Sequence, residues 1–143
     1  MADMNKGSYR KPRAFNFVSV LILLGLIGAG FYGYHMAPVF FGRQRVKSIV
    51  SEAAHKFYKI RSFNNSDRAR ATNEITTTAR GEIIKALGTE PPELTVEMLI
   101  DEERKLVNVV AQYHHFVTFT PLDTRRLFRM RIVGESDFQD TGL

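Results

Sequence analysis

Between Phe15 and Phe40 the chain carries no Asp, Glu, Lys or Arg, although 24% of the whole sequence is charged. From Phe17 to Tyr34 it is apolar, with Ser19 and two tyrosines as the only polar side chains. A helix through Ala14–Met36 is long enough to cross a hydrocarbon core of about 30 Å. The apolar part of a secretory signal is shorter, about 7–15 residues, and ends at a small-x-small cleavage site. Neither available cut fits: His35-Met36-Ala37 puts an imidazole at the −3 position, and Gly28-Ala29-Gly30 lies inside the apolar run. The sequence therefore predicts a retained transmembrane helix over residues 14–37.

Charge around that helix gives its direction. Lys6, Arg10, Lys11 and Arg13 precede it against Asp3 alone, and Arg10, Lys11 and Arg13 abut its start, whereas Arg43, Arg45 and Lys47 begin several residues beyond its end. Positively charged flanks stay in the cytoplasm. The reading is a basic cytoplasmic tail at 1–13 and an extracytoplasmic head. Phe31, Tyr32 and Tyr34 fall where an aromatic belt meets the far interface. With the basic tail removed the rest of the chain is nearly balanced, so the high pI is no argument for nucleic-acid binding.

Gly25, Ala29 and Gly33 recur at intervals of four, with Gly28 and Gly30 beside them. Lipid offers helices no hydrophobic drive to associate, so small residues that let backbones approach closely supply the contact. This ladder predicts a helix-packing face, its partner being a second copy of the chain or a different membrane subunit.

Pro38 and Gly42 are expected to end or bend the membrane helix. Beyond them Val46, Ile49, Val50, Ala53, Phe57 and Ile60 form one helical stripe. "RSFNNSDRA" reads as a loop in which Ser66 or Asp67 caps a second helix from Arg70 to Leu87, with Ile75, Ala79, Ile83 and Leu87 inward and Gly88 as its stop. The period then changes to two. Leu94, Val96, Met98 and Ile100 share a face, as do Val107, Val109, Ala111, Tyr113, Val117 and Phe119, and then Phe128, Met130 and Ile132. The expected fold is α+β: one transmembrane helix, then two helices packed on a three-stranded antiparallel meander over 43–134, and a flexible tail at 135–143. Phe57, Ile83, Tyr113 and Phe128 are its expected core.

This order of parts resembles a family of small bacterial single-pass membrane proteins known only as a domain of unknown function. The residues that carry the resemblance are Pro38-Val39-Phe40 after the anchor, "VKSIVSEAA", and the tyrosine in "VVAQYHHFVTFTPL". It implies a bacterial envelope protein and no particular activity. Pilins share the outline of basic leader, apolar helix and β head. Here, however, the junction would be Ala14-Phe15, and Ser19 stands where a pilin carries its glutamate.

Candidate chemistry is sparse. The chain has no cysteine, which removes disulfides and thiolate ligands. His114 and His115 are neighbours on a strand and point to opposite faces, so they cannot chelate one metal together. "DEER" at Asp101–Arg104 fits a solvated hairpin turn better than a cation site. No G-x-S-x-G elbow, Walker loop or dinucleotide fingerprint is present. His35, beside the interfacial aromatics, is the one candidate cofactor ligand, of the axial kind that holds haem or a chlorophyll magnesium; no cofactor or metal is required by the rest of the chain. Arg125, Arg126, Arg129 and Arg131 form a basic strand that suits an acidic partner or lipid phosphate, or simply blocks edge-to-edge aggregation.

The reading is a non-catalytic accessory subunit of a larger bacterial inner-membrane complex, respiratory or photosynthetic by analogy, with its head in the periplasm. Its partners are other membrane subunits and the lipid bilayer, and self-association is an open alternative. A free-standing envelope binding module is the second reading. Topology is directly measurable. A reporter active only in the periplasm, fused after Leu143, should be active; an inactive one paired with an active cytoplasmic reporter would reverse the orientation.

Overall fold

Two helices and a three-stranded antiparallel sheet make up the computed structural model, which describes residues 16–60, 64–120 and 122–137. The expected basic tail at 1–13, the first residues of the anchor and positions 138–143 lie outside the described residues. The chain divides into two compact units, one through Gly33 and one from Tyr34 onward. In the first, helix α1 (Phe17–Ile60) begins. It is the one helix among the described residues that is long and apolar enough to cross a membrane, with a mean hydropathy of 1.9 over its most apolar window and none of that window buried.

Of the two expectations for Pro38 and Gly42, an end or a bend, the end does not hold: α1 runs through both. Proline removes one backbone donor and crowds the carbonyl four residues earlier, a local cost that packing can override. The packing starts at once, because Val39 is buried directly after the proline. Gly42 is a contact rather than a stop. A Cβ there would lie 3.2 Å from Leu87 Cδ2, so the bare glycine lets the last turn of helix α2 (Asn65–Leu87) lean on α1.

Helix α2 also begins earlier than expected. Asn64 takes the extended cap conformation, while Ser66 and Asp67 sit in the first turn. There the Asp67 carboxylate faces the positive end of the helix dipole. The stop is as read: Gly88 has φ 78°, the left-handed conformation that glycine adopts at low cost.

Strands β1 (Thr95–Asp101), β2 (Leu106–Phe119) and β3 (Thr124–Asp137) pair antiparallel in the order β1-β2-β3. Each strand is preceded by a non-glycine residue at positive φ: Glu93 at 56°, Lys105 at 54° and Asp123 at 48°. The boundary expected at 134 is wrong for residues 135–137. They continue β3, pairing Glu135 with Asn108, Ser136 with Val107 and Asp137 with Leu106. Their polarity misleads because β3 is an edge strand, whose outward residues meet water.

One core joins the layers. Val46, Val50, Ala53 and Ala54 of α1 and Ala79 and Ile83 of α2 close over Val109, Ala111, Tyr113 and Ile132 of the sheet. Phe57, Ile60 and Val107 extend it, with Ala71, Met98 and Ile100 packed alongside. Phe128 is the exception among the expected core residues. It is only partly buried, since it stands on the edge strand beyond the last fully covered position, Ile132.

Gly134 decides how closely helix and sheet meet. It is buried, and a Cβ there would collide with the backbone of Val50 and Ser51. Backbone cannot rotate away as a side-chain tip can, so only glycine fits the crossing. Gly134→Ala should destabilise the head by about 1–3 kcal/mol, the range of overpacked cores. Phe57→Ala, in a fully buried position, should cost about 3–5 kcal/mol. Denaturant unfolding of the detergent-solubilised full chain measures both, and wild-type midpoints would show that the crossing and the core are misplaced.

Candidate functional site

Three places on the chain carry the residues that the sequence singled out. The first is the small-residue ladder in the unit through Gly33. Gly25, Ala29 and Gly33 follow at helical intervals of four within α1 and are all exposed. A Cβ placed on Gly25, Gly28, Gly30 or Gly33 meets nothing within 4 Å. None of the described residues therefore covers this face at those glycines.

The second place is the end of the head that starts at Tyr34. An open hollow of about 500 Å³ is lined by Tyr34, His35, Phe41, His115, Phe116 and Thr118, among others. His35 packs its ring 5.6 Å from Phe119 and, edge-on, 5.6 Å from Tyr34. Strand alternation puts His115 on the face opposite to His114, as expected, and that face turns it into the hollow with His35. The two histidines stand eighty positions apart, and no spacing in the sequence announces the meeting. Two imidazoles and an aromatic wall can hold an aromatic or carbonyl-bearing molecule. Among the described residues no group of three or more His, Asp or Glu is placed to hold a metal ion.

The third place is the outer face of the sheet. Here the four arginines part company. In the β2–β3 register Arg125 faces Thr118, Arg129 faces His114 and Arg131 faces Gln112, all on the outer face, whereas Arg126 faces Val117 on the other. Arg129 Nε donates to His114 Nε2 at 3.3 Å, and His114 Nδ1 lies 3.1 Å from a Glu93 carboxylate oxygen. Arg125 stacks its guanidinium over the Phe116 ring at 4.0 Å. The expected single basic edge is thus a polar relay around His114 and a separate arginine–aromatic pair near the β2–β3 turn.

Two carboxylates of "DEER" have partners, one in the turn and one on α2. Asp101 Oδ1 accepts the Arg104 backbone N–H at 3.0 Å, and Glu102 pairs with Arg68 of α2 at 3.2 Å. No family model, curated protein or solved structure matches this chain.

The Tyr113 titration is displaced. Burial pushes the Tyr113 phenol above its ordinary value, against the opposing pull of the Arg43 guanidinium. As pH rises past about 10 the unfolded chain gives up this proton first. Tyr113's contribution to stability is therefore complete below that pH and is lost above it. Comparing unfolding at neutral and alkaline pH, Tyr113→Phe should show a shallower alkaline loss than the wild type; identical losses would refute the assignment.

Proposed function

We propose that this protein is a non-catalytic, single-pass accessory subunit that stabilises a larger bacterial membrane complex. Its apolar helix packs within the bilayer, and its α+β head makes contacts outside the cytoplasm. One observation carries the reading: the ladder Gly25, Ala29, Gly33 lies on a helix surface that the other described residues leave open. In water such an apolar surface would be a liability. In a membrane its small residues are the means by which two helices approach. The resemblance to small bacterial envelope proteins and the basic N-terminal flank support an inner-membrane location with the N-terminus in the cytoplasm. A respiratory or photosynthetic assembly is the host we infer by analogy alone.

A second reading, a free-standing periplasmic binding module, is favoured by the outer face of the sheet. Leu99 and Val133 are exposed there at 52% and 41%, on either side of the central strand.

Ala29→Leu separates the two. Leucine is at least as favourable as alanine in lipid, so insertion should be unchanged. The added bulk should instead weaken helix contact. The variant is expected in the membrane in normal amount but lost from its complex on gentle-detergent purification followed by native mass spectrometry. Leu24→Ile, off the ladder, should behave as wild type. Co-purification of Ala29→Leu at wild-type levels would sink the subunit reading's membrane contact.

A further inference from the structure

We propose that the head has a membrane contact of its own: the β2–β3 turn and the first turns of the head's helix sit in the phospholipid headgroup layer. This rests on the reading of the apolar segment as a membrane anchor. The ring contact between His35 and Phe119 places the last residue of β2 beside the start of the head, where the chain leaves the apolar segment. The turn that carries Leu122 follows at once.

This end of the head is apolar where a soluble domain is polar. Leu122 is 70% exposed, and Tyr34, Phe40, Phe41, Phe116 and Leu127 are also exposed. Charge is distributed to match. The turn and the start of β3 add Arg125 and Arg126, with Asp123 the one acid. At the opposite end, where Asp137 pairs with Leu106 and Phe57 and Ile60 pack on Val107, Asp101, Glu102, Glu103 and Glu135 are accompanied by Lys56, Lys59, Arg68, Arg104 and Lys105. The head is thus apolar, with an arginine pair, at the end where the chain enters it, and carries acids and bases together at the other.

Bilayer headgroups select for that pairing. Aromatic rings settle at the interface, and basic side chains within reach of anionic lipid are drawn to it. The Arg125 guanidinium over the Phe116 ring suits the boundary, with its apolar stem and ring toward the acyl chains and its charge toward phosphate. A protein partner would satisfy the apolar residues, but the Arg125–Arg126 pair among them, where the chain leaves the apolar segment, favours lipid.

The chain contains no tryptophan, so a single introduced Trp reports one position. Full-length Leu122→Trp, Leu24→Trp and Val133→Trp would be reconstituted in phosphatidylcholine–phosphatidylglycerol vesicles with lipids brominated near the headgroup or deep in the acyl chain. Leu24→Trp tests the anchor and should be quenched by deep bromine. Leu122→Trp should lose most of its emission to shallow bromine, while Val133→Trp keeps its own. Replacing Arg125 and Arg126 with Glu should reduce the Leu122→Trp quenching. Quenching at position 24 without quenching at 122 overturns the headgroup contact, leaves the anchor standing and gives the patch to a protein partner. An unquenched Leu24→Trp overturns the anchor, and this proposal with it. Equal quenching at 122 and 133 means that the head lies on lipid without a preferred end, and also overturns it.

Discussion

The head depends on the close crossing of α1 and β3 at Gly134. Strand and helix meet backbone to backbone there, with Val50 and Ser51 on one side and a residue without a side chain on the other. That closeness lets Val46, Val50 and Ala53 reach the same apolar layer as Val109, Ala111 and Ile132. Sheet and helix surfaces carrying full-sized side chains stand farther apart, and voids in a core this small are expensive. Gly42 makes a milder approach, leaving room for the tip of the Leu87 side chain of α2 beside α1.

Much of this was legible in the residues. The inward face of β2 follows strict alternation, and each member of it from Val107 to Tyr113, with Val117 and Phe119, is buried. The helical stripe from Val46 to Ile60 is likewise as its period foretells. Periodicity reports which way a side chain points, and burial follows wherever another layer lies over it. The misreadings have a common cause. Pro38, Gly42 and Gly134 carry local meanings, break, stop and end, and at each position tertiary contact outweighs the local preference.

The candidate sites were less legible, for a related reason. The ladder Gly25, Ala29, Gly33 is local, so spacing alone finds it. The arginines from 125 to 131 look like one basic edge in a linear reading, but consecutive strand residues alternate. Arg126 consequently leaves the set, and Arg129 is drawn to His114 and Glu93. The union of His35 and His115 needs the whole fold, because it forms only when β2 lies beside the first turns of the head's helix. Phe128 shows the converse: a position with the right parity stays half-open when no layer reaches the edge strand above it.

The three residues that launch the strands, Glu93, Lys105 and Asp123, occupy backbone conformations that cost a residue with a Cβ about 1–2 kcal/mol. Asparagine or glycine would occupy them with less strain. The head therefore folds with three joints set below their optimum, each of them exposed. Such positions are a standing reserve for the lineage. Changes that weaken the head elsewhere, for instance while its outer face adapts to a new partner, can be offset at a joint without touching the packing between the layers.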